Sequence, residues 1–154
     1  MKKIVYGVFL CILFVVDRAT KWYALMHWEQ GVNLVSFVRL ELSLNRGISW
    51  GLLCDSTPYS WLFITTTILI IALTTALLVY AYTRYSQGHT PYAEGLILVG
   101  SISNIIDRLL YGGVIDFIVL HWREFIWPTF NLADASIVLG IGILFVKQLL
   151  SPDR

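Results

Sequence analysis

Four long apolar segments constrain the fold of this chain more than any other feature of its sequence. They span residues 4–26, 58–82, 91–110 and 131–150, and each reaches the roughly 20 residues that a helix needs to cross a bilayer. Only 14% of the residues are charged, against about 25% in an ordinary soluble domain. The sequence therefore predicts an all-α membrane protein with four transmembrane helices in a single domain, residues 1–154.

Basic residues at the ends of the chain predict its orientation. Lys2 and Lys3 put the N-terminus in the cytoplasm by the positive-inside rule, and four crossings return the C-terminus to the same side. The same lysines precede an apolar run as in a secretory signal, but no A-x-A pattern follows, so we expect an uncleaved anchor. Residues 28–57 and 111–130 then form outer loops, and the apolar stretch 33–44 fits short strands.

The charged residues within the apolar segments gather near one face of the predicted membrane. Asp17 and Lys21 fall near the outer end of the first helix. Asp107 and Arg108 fall at the outer end of the third, and Asp134 falls in the first turn of the fourth. A carrier would more often place polar groups near the midplane. Because charge is costly at membrane depth, we expect a functional site just below the outer surface.

Two aspartates stand in short polar motifs on that side, Asp116 in residues 113–117 (GVIDF) and Asp134 in residues 130–134 (FNLAD). Asn131 is placed to cap the fourth helix, with Asp134 in its positive first turn, and capping alone would explain that motif. It would not explain Asp116. Two carboxylates that meet share a proton, so that one can activate water while the other polarises a carbonyl. This is the chemistry of aspartic proteases.

Two further motifs have structural interpretations. Asp17 and Lys21 are four residues apart with the acid first, the favourable order for an ion pair that orients the first helix. Asn104, Asp107 and Arg108 share one helical turn. They fit either a hydrogen-bonded clamp between helices or an arginine directed at a substrate carbonyl or phosphate.

Residues 47–51 (GISWG) match the G-x-S-x-G pattern of a nucleophilic serine. That pattern requires an α/β sheet, followed along the chain by an acid and then a histidine. The chain is too short and apolar for such a sheet, and no histidine follows Asp134. The glycines more plausibly allow a tight turn that brings Asn45 toward the site.

Metal, disulfide and nucleic-acid roles find little support in the sequence. His27, His89 and His121 are isolated, and no H-E-x-x-H motif is present. Carboxylates alone can hold Mg²⁺ or Ca²⁺, but we expect neither a metal nor another cofactor. Cys11 and Cys54 form no C-x-x-C spacing. The net charge of +1 offers no broad basic surface for nucleic acid.

Taken together, the motifs resemble those of bacterial lipoprotein signal peptidase (signal peptidase II), over nearly the whole chain. Any one of them is weak, but five in family order are specific. They are Asp17-Arg18-Ala19-Thr20-Lys21, Asn45-Arg46-Gly47 with Trp50-Gly51, Asn104-Ile105-Ile106-Asp107-Arg108, Gly113-Val114-Ile115-Asp116-Phe117 and Phe130-Asn131-Leu132-Ala133-Asp134.

The resemblance implies a catalytic dyad of Asp116 and Asp134 and a structural pair of Asp17 and Lys21. It also implies a small extracytoplasmic β-cradle with a lid-like helix in the first outer loop. One position departs from the family pattern, because Ser103 stands where glycine is usual. The remaining residues that it marks as substrate-binding or supporting are Asn45, Gly47, Asn104, Asp107, Arg108, Asn131 and Ala133.

The resulting hypothesis is an aspartic endopeptidase of the bacterial inner membrane, monomeric and in contact with membrane phospholipid. It would remove signal peptides from prolipoproteins by cleaving before the diacylglyceryl-modified cysteine. Two rival hypotheses are an ion or proton carrier that uses the same carboxylates, and a silent homologue that binds lipidated peptides.

Overall fold

The computed structural model describes residues 2–47 and 60–150, which form four helices and four strands. The elements in chain order are α1 (Lys2–His27), β1 (Val32–Val35), β2 (Val38–Asn45), α2 (Trp61–Ser86), α3 (Tyr92–Tyr111), β3 (Val114–Trp122), β4 (Phe125–Ile126) and α4 (Leu132–Leu150). The first and last residues of each helix lie within four residues of the ends of the corresponding apolar segment. Each apolar segment of the sequence thus becomes one helix.

Two of these helices, α2 and α4, are long and apolar enough to cross a membrane. Their most apolar windows have mean hydropathies of 2.5 and 1.7, and only 17% of each window is buried inside the protein. A helix whose surface is apolar and mostly uncovered requires an apolar surrounding. The predicted crossings by α1 and α3, which carry the charged residues, stay predictions.

Helix α3 lies at the centre of the fold and packs against the other three helices and β3. Its closest neighbour is α4, and glycines allow the approach. A Cβ atom added at Gly140 would lie 2.6 Å from Ile97 Cγ1 and 2.7 Å from the Ala93 carbonyl oxygen. Gly100 is similarly crowded, with Ile137 Cγ1 at 2.8 Å. The glycines, which have no side chain, therefore let α3 and α4 approach closely.

The strands form one antiparallel sheet in the order β1-β2-β3-β4. The strands expected within residues 33–44 are confirmed as β1 and β2. Only a loop was predicted for 111–130, and this was incomplete, because β3 forms there and pairs with β2 in a register that sets Asp116 opposite Ser43. Its first four residues are buried, so they lack the alternation of polar and apolar residues that marks a half-exposed strand.

The chain entering α4 runs beside β3. The backbone nitrogens of Phe117 and Ile118 donate to the Phe130 carbonyl oxygen at 3.1 and 2.8 Å. This pairing brings the two aspartate motifs side by side. Residues 28–47 contain no lid-like helix, and the rest of the first outer loop, with Ser49, lies outside the described residues.

Candidate active site

Asp116 and Asp134 meet through Asn131, which contacts both carboxylates. Asn131 Nδ2 donates to Asp116 Oδ1 at 2.7 Å, and its backbone nitrogen donates to Asp134 Oδ2 at 3.2 Å. The backbone nitrogen of Asp134 returns a hydrogen bond to Asn131 Oδ1 at 2.8 Å. The predicted cap of α4 by Asn131 is confirmed, and it takes the reciprocal form of a capping box. The cap thereby fixes the distance between the two aspartates.

Asp116 is the third residue of β3 and is 1% exposed. Its second oxygen, Oδ2, accepts a hydrogen bond from Asn45 Nδ2 at 3.0 Å. Burial, and after it the negative charge of Asp134, raises the pKa of Asp116 from 3.8 to about 7, while hydrogen bonds from Asn45 and Asn131 act in the opposite direction. Because the charge of Asp134 contributes, ionisation of one carboxylate disfavours ionisation of the other.

Asp134 lies in the first turn of α4, where the helix dipole favours a negative charge. Asn104 Nδ2, from α3, donates to Asp134 Oδ1 at 2.8 Å. Asn131 Nδ2 also reaches Asn104 Oδ1 at 3.3 Å, so the two amides are linked to each other as well as to the dyad. The backbone nitrogen of the neighbouring Ala133 donates to Asp17 Oδ1 at 2.8 Å. Each oxygen of Asp134 therefore has an amide donor.

Beneath the dyad lies a group of four charged side chains, Asp17, Arg18, Lys21 and Asp107, here called the ionic cluster. All of them but Arg18 are buried. The predicted pair of Asp17 and Lys21 forms at 3.1 Å. Lys21 Nζ also contacts Asp107 Oδ2 at 2.8 Å, and Arg18 pairs with Asp107 Oδ1. Sequence spacing indicated only the pair within α1, whereas the structure joins it to α3.

Lys21 connects the ionic cluster to the dyad. Its Nζ donates to Asn104 Oδ1 at 2.8 Å, and this holds the amide of Asn104 with its nitrogen toward Asp134. Asp107 Oδ2 accepts from the backbone nitrogen of Ile115 at 3.3 Å, one residue before Asp116. Both aspartates of the dyad are thus buttressed by the cluster.

Arg108 is 4% exposed and is held from three directions. Its Nη2 donates to the Gly47 carbonyl oxygen at 2.5 Å, and its Nη1 donates to Thr67 Oγ1 at 3.4 Å. The ring of Phe63 lies 5.3 Å from the guanidinium carbon. These contacts favour the clamp interpretation of Arg108, although the side chain also lines the adjoining cavity.

The contacts of Arg108 explain the role of the turn after β2. Gly47 donates its backbone nitrogen to Asn45 Oδ1 at 3.0 Å, so that Arg108, Gly47 and Asn45 form a chain that ends on Asp116. Sequence reasoning missed Thr67 and Phe63, because both stand in a long run without a charged residue. The three threonines in a row, residues 65–67, were the signal that could have drawn attention to this part of α2.

A cavity of about 760 Å³ opens from Asp134 between α2, α3 and α4. Its polar end is formed by Asn45, Asn104, Arg108 and Asp134. The apolar remainder is lined chiefly by aliphatic side chains, among them Leu73, Leu77, Ile97, Ile137, Val138 and Leu139. Such a space suits a ligand with a polar reacting group and a hydrocarbon part. Within the described ranges, no group of three His, Cys, Asp or Glu side chains could hold a metal ion.

Solved structures of bacterial membrane enzymes share this fold. One aligns with a TM-score of 0.74 at 22% identity, covering 99% of this chain and 90% of the other. A second aligns with a TM-score of 0.69 at 26% identity, covering 96% of this chain and 92% of the other.

Sequence relatives agree with the structural ones. Proteins named lipoprotein signal peptidase are 37% identical in Thermodesulfovibrio yellowstonii and 35% identical in Pseudoalteromonas atlantica, in each case over 93% of this chain and 92% or 88% of the relative. The relative from Cellvibrio japonicus is 32% identical over 93% of this chain and 85% of its own length. The sequence model of the family described as Signal peptidase (SPase) II matches residues 9–150. The chain therefore belongs to the signal peptidase II family.

Proposed function

We propose that this protein is an aspartic endopeptidase that cleaves prolipoproteins immediately before a diacylglyceryl-modified cysteine. The observation that carries the proposal is the Asp116–Asp134 pair, joined through Asn131, with Asp134 at the polar end of an apolar cavity. The names of the relatives supply the substrate class. The geometry supports the chemistry, because a pair of buried carboxylates, one of which lines the polar end of an apolar cavity, suits hydrolysis beside a lipid.

In this proposal Asp134 is the general base and Asp116 is the general acid. The raised pKa of Asp116, about 7, keeps its proton available near neutral pH while Asp134 is ionised. Asp134 takes a proton from water as the oxygen attacks the scissile carbonyl carbon, and Asp116 donates its proton to the carbonyl oxygen. The resulting gem-diol then collapses.

The collapse breaks the carbon–nitrogen bond. The departing amine takes the proton held by Asp134, and a gem-diol hydroxyl returns a proton to Asp116. Both carboxyl groups finish in their initial states. Asn104 and Asn131 hold Asp134 in place through both steps, since they donate to separate oxygens of that carboxylate.

The cavity accounts for the expected lipid requirement. Its aliphatic walls along α2 and α4 match the hydrocarbon of a diacylglyceryl group. We propose that the lipid enters sideways between helices, while the signal peptide lies along them and water reaches the dyad from the outer surface.

We further propose that all four helices cross the inner membrane, with both termini cytoplasmic and the site near the outer face. The outward surface of α1 supports this arrangement. Ile4, Val8 and Ile12 are more than half exposed to the surroundings, whereas Asp17 and Lys21 are buried. A helix with apolar residues outside and its charges inside suits a bilayer and not water. The protein is expected to act as a monomer, since one chain contributes both aspartates.

The test is cleavage of a diacylglyceryl-modified prolipoprotein by the full chain purified in detergent, followed by gel shift. The wild type is expected to release the signal peptide, while Asp116→Asn and Asp134→Asn abolish release and keep a cooperative thermal transition. The same prolipoprotein without its lipid serves as the matched substrate control. Added chelator is expected to leave the rate unchanged.

Failure of folded wild-type protein to cleave the lipidated substrate would overturn the proposal. Saturable binding without product would indicate a silent binder, and proton flux in sealed vesicles without cleavage would indicate a carrier. Near-normal turnover by either variant would refute the dyad.

A further inference from the structure

Ser103 is buried at the centre of the contacts beneath the dyad, at the position where the sequence departs from the usual glycine. It lies on α3 and is 1% exposed. Its hydroxyl donates to Asp17 Oδ2 at 2.5 Å and accepts from Lys21 Nζ at 3.4 Å. The hydroxyl therefore joins an acid and a base of the ionic cluster that both belong to α1.

One route from Ser103 to the dyad passes through Asp17. The carboxylate of Asp17 is a rigid plane, so fixing Oδ2 with the serine hydroxyl also fixes the direction of Oδ1. That second oxygen accepts from the backbone nitrogen of Ala133 at 2.8 Å, one residue before Asp134. Ser103 thereby helps to set the start of α4, on which Asp134 is carried.

A second route passes through Lys21 and Asn104. Lys21 Nζ lies within 2.8 Å of Asn104 Oδ1, and an ammonium group can only donate. The amide of Asn104 must therefore present its oxygen to Lys21 and its nitrogen to Asp134 Oδ1, 2.8 Å away. Ser103 restricts the position of the ammonium group and so the orientation of this amide.

We infer that Ser103 is a positioning residue for Asp134, acting through Asp17 on one route and through Lys21 and Asn104 on the other. Ser103 does not line the cavity, so its effect does not require contact with substrate. The inference rests on the proposed peptidase function for its kinetic readout, and on the hydrogen-bond geometry alone for its spectroscopic one.

Two substitutions at this position separate positioning from simple stability. Ser103→Ala removes the hydroxyl and leaves a methyl group that keeps water out, so Asp17 Oδ2 loses a donor. Ser103→Gly leaves about the volume of one liquid water, ~30 Å³, beside polar groups that can bind it. A water there restores the donor to Asp17, although glycine lowers helix propensity. Activity and stability should therefore change in opposite order.

The expected result is that Ser103→Ala lowers kcat about tenfold with KM within about twofold, because a displaced catalytic group weakens the chemical step and not ground-state binding. Ser103→Gly is expected to keep kcat within about threefold of wild type while melting at a lower temperature than Ser103→Ala. Ser136→Ala is the matched control, since Ser136 is also buried but donates to Leu132 within its own helix at 2.8 Å.

A second measurement is independent of turnover. The chain contains four asparagines, Asn33, Asn45, Asn104 and Asn131, so a sample labelled with ¹⁵N at asparagine gives four pairs of side-chain amide signals. The pair of signals from Asn104 is assigned by its loss in an Asn104→Ser variant. Its chemical shifts are expected to change in Ser103→Ala and to stay the same in Ser136→Ala.

Two results would overturn the inference. One is an unchanged Asn104 pair in Ser103→Ala. The other is a loss of kcat that follows the loss of melting temperature across the three variants. If wild-type protein does not cleave, the peptidase proposal fails, and the Asn104 signals still decide the positioning role.

Discussion

Removing the amide of Asn45 tests the assignment of Asp116 as the general acid. Asn45 Nδ2 donates to Asp116 Oδ2 at 3.0 Å and stabilises the ionised carboxylate, so it lowers the pKa of Asp116. In Asn45→Ala this donor is absent, while Asn131 still donates to the other oxygen at 2.7 Å. The substitution should therefore raise the pKa of Asp116 above about 7.

The size of the shift follows from the energy of one hydrogen bond. A bond to a charged group contributes about 1.5–3 kcal/mol, and one pKa unit corresponds to about 1.36 kcal/mol. The remaining bond from Asn131 compensates in part, so we expect an upward shift of about one unit. Since the active form requires Asp116 protonated beside ionised Asp134, kcat/KM of the wild type should fall as pH rises through about 7.

The assay measures kcat/KM for the lipidated substrate from about pH 5 to about pH 9 at a constant detergent concentration. This range covers both sides of a bell-shaped pH profile. In Asn45→Ala the alkaline limb should move to higher pH by about one unit. Asn33→Ala is the matched control, because Asn33 is exposed on β1 and should leave the limb in place. A limb that stays fixed or moves to lower pH in Asn45→Ala would refute the assignment of Asp116 as the acid.

Two further predictions concern stability, measured by thermal unfolding in detergent. Gly140→Ala should destabilise the protein by about 1–3 kcal/mol, because the added Cβ atom meets Ile97. Gly142→Ala should not destabilise it, because a Cβ atom there meets nothing within 4 Å. Equal melting temperatures of the two variants would contradict the close helix packing. Lys21→Met should cost about 3–5 kcal/mol, because the buried carboxylate of Asp17 loses its basic partner and Asp107 keeps only Arg18. Glu41→Gln, in an exposed pair, should cost less than about 1 kcal/mol.

The sequence predicted best those features that depend on residues close together along the chain. Length and hydropathy locate all four helices, because an apolar run of about 20 residues has few alternatives. The cap at Asn131 was also predictable, since it stands in a short motif at a helix start. The catalytic role of Asp116 and Asp134 stays a prediction, although the structure brings both side chains to Asn131. Sequence spacing likewise predicted the Asp17–Lys21 pair, which needs only one helix.

The structure added what depends on distant parts of the chain. β3 joins β2 across roughly 70 residues of sequence, as the Asn45–Asp116 bond illustrates, and no local pattern specifies such a pairing. The link from Lys21 to Asn104, and the support of Arg108 by Thr67, likewise join separate helices. These contacts depend on how the helices are rotated about their axes, which the sequence leaves open.

The same long-range contacts explain how so many charges can lie within an apolar protein. The ionic cluster contains two acids and two bases, so it is neutral overall, and its charges are compensated at hydrogen-bond distance. The dyad has no basic side chain bonded to it among the described residues, and its donors are neutral amides. Amides hold a carboxylate in place without fixing its charge as a salt bridge would. A neutral cluster below and neutral donors around the two aspartates therefore suit the proposed hydrolysis, in which one proton moves between Asp116, Asp134 and the attacking water.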